Sequence, residues 1–460
     1  MNNLQIRIPK GVGQRLFKEV IRHGPREPVV FGLVTHASTA TKEIVLVRDI
    51  RIPPEDAYLP SLGHGARWSG RYMIDLLNEA TATRCGLLIF HFHGGSAVRM
   101  SSDDSESARQ LLPKFQVIVP NRPHGSVVLG THSVAGAILL PRTDRLETAF
   151  SMRQFDKRIL DWPMPIASKK ERQLFERQPL VRGRLTAAAI SASRVAVVGQ
   201  SGGGTHVSLQ LAQHGFGEIW GVDDDYVDQG NRFSGIGFGE KDAAAGKRKV
   251  TVLRRAISRI APRVRYVGLK ARVPEQVAID ALKQADVIVG CVNNLHARAD
   301  LQEIASRYCI PYVDIGLILP TDQASPEEFP PVRAISGNIF TYVPGDVCMW
   351  CTGFLSEEKL AGETLGRGRP YLQTKHGADA HVLSFNGVLA SQAVNDVVNL
   401  VVGYVGETGP IAYRKYDGFK GSLIPCDVKR SEKCMMCSRN SAAGDAIWGT
   451  RIISQLSTVA

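Results

Sequence analysis

Short apolar runs alternate along this chain with apolar residues at helical spacing, and the alternation predicts its elements. Val195, Val197 and Val198 form a run that reads as a buried parallel strand, ended by Gly199. Gly202, Gly203 and Gly204 follow, and then Val207, Leu209, Leu211 and Ala212 recur at helical spacing. The stretch His214-Gly215-Phe216-Gly217 stops that helix, because glycine tolerates the left-handed backbone of a helix end. A second strand over 219–222 finishes in Asp223-Asp224-Asp225, and runs at 264–269, 287–291 and 312–319 predict three more. Strands and helices in this succession predict an α/β fold, a doubly wound and mostly parallel sheet with its ligand at the carboxyl ends of the strands.

The N-terminal part has its own elements. Residues 4–8 read as a strand, and Val12, Leu16 and Val20 with Phe17 and Ile21 as the apolar face of a helix. Strands at 29–34 and 43–52 follow, then a helix at about 69–82, then the strand 86–93, GLLIFHFH. Residues two apart on a strand share a face, so His91 and His93 point together. Asp103 or Asp104 is expected to cap the next helix. Residues 142–190 are rich in charge and read as a linker with some helix. Late in the chain a helix over 382–402 is expected to bury Leu383, Val388, Leu389, Ala393 and Val397.

The length of 460 residues exceeds what one core usually serves, so two or three domains are expected. No apolar stretch approaches the length of a membrane span, and the start of the sequence lacks the apolar core of a secretory signal. A cytoplasmic location is the expectation. The formal charge of +12 suits phosphates or an acidic protein partner, but the basic residues are scattered without interleaved aromatics, which disfavours nucleic acid. Of the 8 cysteines, four fall in two CxxC pairs, a pattern of metal binding in a reducing compartment rather than of disulfides.

Three constellations carry chemistry. Gly199, Gly202 and Gly204 between a strand and a helix let backbone N–H groups approach phosphate, while an acid ending the second strand can bind ribose hydroxyls. Two imidazoles on one strand face and a carboxylate at the next helix start can hold Zn²⁺ with one position left open for water. Cys348, Cys351, Cys434 and Cys437 can supply four thiolates to a structural Zn²⁺.

The pattern His91-x-His93, seven residues, Ser101, two residues, Asp104 resembles the JAMM motif of JAB/MPN-type metalloproteases, which act on ubiquitin-like proteins. The resemblance implies a catalytic Zn²⁺ on His91, His93 and Asp104, Ser101 at the oxyanion, and Glu27 as the base that activates water. Gly94 stands where that family usually has proline.

From about Phe175 onward the chain resembles the ThiF/MoeB/HesA family, which has the Rossmann-like fold of ubiquitin-activating enzymes. The likeness implies that Asp223 and Asp225 contact the ATP ribose, that Asn231, Arg232 and Lys249 contact its phosphates, and that Arg177 reaches in from a homodimer partner. The family usually carries Thr-Asp-Asn after the fourth strand, with the Asp aiding Mg²⁺; here Val292-Asn293-Asn294 stands there. Its thioester cysteine has no counterpart in the loop between the CxxC pairs, which leaves Cys426 as the one unpaired thiol nearby.

The expected organisation is a JAB-type domain over 1–142, a linker over 143–174 and a ThiF-type domain over 175–460. The expected function is ATP-dependent adenylation of the C-terminus of a ubiquitin-like protein, fused to a zinc peptidase that processes or removes it. The alternatives are adenylation of a sulfur-carrier protein for cofactor biosynthesis, or a nucleotide-binding scaffold with decayed sites. The partners implied are the modifier or carrier protein, a conjugating enzyme and a second copy of this chain.

Overall fold

The computed structural model describes residues 4–21, 27–60, 67–143, 145–163, 168–169, 178, 180, 183–319, 332, 334–365, 382–434, 436–437 and 441–445. They form two compact units, the first built mainly from Met1–Met164.

In the first unit the strands are β1 (Leu4–Ile8), β2 (Val30–Ser38), β3 (Glu43–Arg51), β4 (Tyr58–Leu59), β5 (Arg67–Trp68), β6 (Gly86–Phe92), β7 (His124–Leu129), β8 (Val134–Leu139), β9 (Leu146–Glu147), β10 (Phe150–Phe155) and β11 (Ile159–Trp162). The helices are α1 (Lys10–Val20), α2 (Gly70–Ala82) and α3 (Ser102–Ile118). Nine strands make one mixed sheet in the order β11-β10-β1-β3-β2-β6-β7-β8-β9. Alternation along β6 divides its apolar residues between two cores. Leu88 and Phe90 join Leu16 and Val20 of α1, while Leu87 and Ile89 join Leu76 and Leu77 of α2 and Leu112 and Phe115 of α3. Each such buried side chain contributes about 1.5–3 kcal/mol. His91 continues the series of Leu87 and Ile89, so the alternation that builds the core aims it toward the α3 side.

Two expectations are corrected here. Residues 146–162, expected within a linker, instead supply β9–β11, and β10 pairs in parallel with β1 inside the sheet. The charged residues that suggested a linker pair across strands, as Arg153 does with Asp161 at 2.6 Å. The N-cap of α3 is Ser101 rather than an aspartate: its hydroxyl accepts from Asp104 N while the Asp104 carboxylate accepts from Ser101 N.

The second unit contains α4 (Arg184–Ala192), β12 (Arg194–Val198), α5 (Gly202–Gln213), β13 (Glu218–Val222), α6 (Asn231–Ser234), α7 (Glu240–Ala244), α8 (Lys249–Ile260), β14 (Arg265–Leu269), α9 (Gln276–Lys283), β15 (Val287–Gly290), α10 (Leu295–Arg307), β16 (Tyr312–Ile318), β17 (Ser336–Tyr342), α11 (Glu357–Thr364), α12 (Leu383–Val402), β18 (Tyr413–Asp417) and β19 (Ser422–Pro425). Its sheet order is β14-β13-β12-β15-β16-β17-β18-β19. The first five strands are parallel and the rest antiparallel. The five parallel strands are those read from the apolar runs, and the order reverses between β12 and β15, which opens a crevice at their carboxyl ends. In α12, Leu389, Ala393 and Val397 are buried as expected, whereas Leu383 and Val388 are exposed.

Candidate functional site

A cavity of about 700 Å³ lies in that crevice. Gly199, Ser201, Gly202, Gly203, Asp223, Asp224, Asp225, Asn231, Lys249, Arg272 and Asn293 are among the residues that line it. The glycines are needed there. Gly199 has φ of 86°, and a Cβ on Gly204 would lie 1.8 Å from the Gly199 carbonyl oxygen. Helix α5 therefore starts hard against the end of β12. Ser201, its N-cap, makes no side-chain capping bond, and no acid stands in the first turn, so its leading N–H groups face the cavity uncapped. The start of α10 is different. Glu363 of α11 accepts from Leu295 N at 2.9 Å and His296 N at 3.2 Å, and Asn294 Oδ1 accepts from Ala297 N. An anion is thus expected at α5, not at α10.

The acids at the end of β13 divide their roles. Asp223 accepts from Gln200 N at 2.6 Å and Asp225 N at 2.8 Å, which ties the glycine turn to the second strand. Burial raises its carboxyl above the usual range, opposed by the Lys249 charge and the two amides. Asp225 is half exposed, and its Oδ2 lies 3.0 Å from Nζ of the buried Lys249.

The structure brings Gly199, Gly202, Asp223, Asp225, Asn231, Lys249 and Asn293 together on one cavity, with Gly204 packed beneath. It does not bring Arg232 there. That guanidinium is 2.9 Å from Gln229 Oε1 and 3.7 Å from Glu240, because α6 is a single short turn that carries it along the surface. Arg177 lies outside the described residues. Sequence reasoning missed Arg272, which pairs with Asp224 at 2.8 Å and lies 3.8 Å from Asp225. The only available signal was its place just after β14, at the carboxyl edge of the sheet. Cys426 sits at the end of β19 and is not among the cavity-lining residues.

Two further clusters can hold metal. The Sγ atoms of Cys348 and Cys351 are 3.7 Å apart, those of Cys348 and Cys434 3.6 Å, and those of Cys351 and Cys437 3.6 Å. Four thiolates at about 2.3 Å from a tetrahedral Zn²⁺ stand roughly 3.8 Å from one another, so the cysteines fit that ion. In the first unit, His91 Nε2 is 3.3 Å from Asp104 Oδ1, and His93 Nε2 is 3.5 Å from Asp104 Oδ2 and 3.3 Å from Glu27 Oε1. His91 Nε2 is buried and, apart from its 3.3 Å approach to Asp104 Oδ1, has no hydrogen-bond partner among the described residues, which suits a metal ligand. Facing His91, and accepting from the Ser101 hydroxyl at 2.7 Å and the Ser101 N–H, Asp104 is held well below the usual carboxylate range. Ser101 thus orients Asp104, a role beyond the oxyanion contact expected of it.

The ThiF family model matches residues 175–437, more than half of the sequence, and the chain belongs to that family. Molybdopterin-synthase adenylyltransferase of Escherichia coli K12 is 24% identical over 252 residues, which cover 55% of this chain and 89% of that protein. The sulfur carrier protein ThiS adenylyltransferase of the same organism is 30% identical over 109 residues, 24% of this chain and 43% of its own length. Mouse adenylyltransferase and sulfurtransferase MOCS3 is 32% identical over 141 residues, 30% of each chain. Among solved structures, E. coli MccB aligns with a TM-score of 0.47 and 17% identity over 61% of this chain and 76% of that one.

Proposed function

We propose that the second unit uses ATP to adenylate the C-terminal carboxylate of a ubiquitin-like or sulfur-carrier protein. The observation that carries this reading is the switch-point cavity, which joins an uncapped helix start, a buried lysine and an acid at the end of β13. Attack of a carboxylate on the α-phosphate brings two anions together, so the site must neutralise charge as pyrophosphate leaves. Lys249 and the N–H groups of α5 do this, while Asp223 and Asp225 position the ribose. Positioning and charge account for most of such a transfer. The adenylyltransferase relatives favour this class of substrate. Asn293 would offer Mg²⁺ a neutral oxygen where the family usually has a carboxylate. ATP–pyrophosphate exchange dependent on such a protein tests the reading, and Lys249→Ala is expected to lower it by about 10²–10³-fold.

The first unit is, in the same proposal, a JAMM-type peptidase that trims or removes the modifier. Zn²⁺ on His91, His93 and Asp104 would polarise a carbonyl and lower the pKa of bound water. Glu27 would serve as the base for that water, and Ser101 holds Asp104 in place. The cysteine cluster would hold a structural Zn²⁺. Arg177 would complete the nucleotide site of a second copy. A mixture of Arg177→Ala and Lys249→Ala chains should then regain exchange, because each mixed dimer contains one intact site.

A further inference from the structure

Asn386 stands in the first turn of α12, on the wall of the nucleotide cavity. It is 7% exposed, and its Nδ2 makes no hydrogen bond among the described residues. A buried amide donor left unmade is costly, and native proteins nearly always give such a group a partner. The residue is not a helix cap either, since α12 makes no side-chain capping bond at its start. Among the described residues the amide has no partner, and the side chain borders the cavity.

Its position says which part of a ligand it meets. A Cβ on Gly202 would lie 2.6 Å from Asn386 Nδ2, so the amide abuts the first turn of α5, where the phosphates are expected. Across the sheet the cavity runs from the end of β13, past β12 and β15, to the end of β16. Asp223, Asp225 and Lys249 occupy the β13 side. Asn386 belongs to the β16 side, with Ile315, Gly316, Leu317 and Leu389. Arg298 also lines the cavity here, but it is paired with Asp314 and donates to Val292 O and Ile315 O, so this end suits a peptide backbone better than phosphate.

We propose that Asn386 binds the acyl end of the second substrate: it donates to the terminal carboxylate before reaction and to the acyl carbonyl of the adenylate afterwards. The proposal rests on the adenylation reading. In that step a carboxylate oxygen forms a bond to the α-phosphorus of ATP, the bond from that phosphorus to the bridging oxygen breaks, and pyrophosphate leaves with the electron pair. No proton moves. A neutral donor fits this step, because it orients the carboxylate without neutralising the nucleophile.

Calorimetry on the full chain with two probes tests the assignment. AMP fills the nucleotide end alone, and glycyl-sulfamoyl adenosine, a stable mimic of an acyl adenylate, fills both ends. Asn386→Leu is expected to weaken the glycyl compound about tenfold, the value of one hydrogen bond to a polarised acceptor, and to leave AMP within about twofold. Asn386→Ala should give the same split if the leucine variant fails to fold. Equal losses for both probes would place Asn386 at the nucleotide end, and no loss would deny it a ligand; either overturns the proposal. If the wild-type chain bound neither probe, the adenylation reading itself would fall, and the role of Asn386 with it.

Discussion

Lys249 Nζ lies 3.0 Å from Asp225 Oδ2, which joins the start of α8 to the end of β13 across the mouth of the nucleotide cavity. The lysine is buried and the acid half exposed, and both line the cavity in which ATP is proposed to bind. Lys249→Ala should lower the exchange rate by about 10²–10³-fold, as removal of a donor to transition-state charge does. Asp225→Ala should mainly raise the ATP KM, because a ribose contact is made alike in ground and transition states. Steady-state exchange kinetics separate the two, and equal kcat losses in both variants would refute the division.

Asn293 is expected to bind Mg²⁺ more weakly than an acid would. Asn293→Asp should lower the Mg²⁺ concentration for half-maximal exchange by about tenfold, roughly 1.4 kcal/mol. A magnesium titration of both proteins reads this directly.

Metal analysis should find two zinc ions per chain. The double variant His91→Ala with His93→Ala should retain one and keep nearly the same melting temperature. Cys351→Ser should lower the melting temperature sharply, because four-thiolate sites contribute folding energy, on the order of 10 kcal/mol in small zinc domains. Finding one zinc ion whose amount the histidine variant leaves unchanged would remove the peptidase reading.

Glu27→Gln should leave the zinc content unchanged while cleavage of a ubiquitin-like precursor falls by about 10²–10⁴-fold, the usual worth of a general base. Loss of metal in this variant would make Glu27 a ligand instead.

His124 supplies a pH test of the first unit. Its ring is fully buried, with Nδ1 accepting from Leu87 N at 3.3 Å and Nε2 donating to Val119 O at 3.0 Å. Burial pushes it down to about 4 from an ordinary 6.5, opposed by the bond to Val119. The unfolded chain therefore takes up a proton before the folded one does. Stability is lost as the pH falls from about 6.5 to about 4, by on the order of 3 kcal/mol. Thermal melts of His124→Gln across this range should have a smaller slope than wild type, and identical slopes would refute the assignment.

Much of this molecule is legible in its sequence. The runs around Val197 and Val289 can only be strands buried on both faces, and the glycines after Val198 allow only a tight strand-to-helix turn. The alternation in GLLIFHFH places His91 opposite Phe90, and the spacing to Asp104 carries the metal pattern. These are local properties, set by the period of the backbone. The tertiary structure decided what depends on distant partners. Strands β10 and β11 mix charged with apolar residues and are strands because β1 offers β10 an edge and β10 in turn offers one to β11, while β9 pairs with β8 at the opposite edge. Arg272 enters the cavity, and Arg232 leaves it, through the path of the chain beyond β13 and β14. The buried amide of Asn386 faces Gly202 only because α12 packs on α5, and no spacing along the chain records a contact between residues so far apart in sequence.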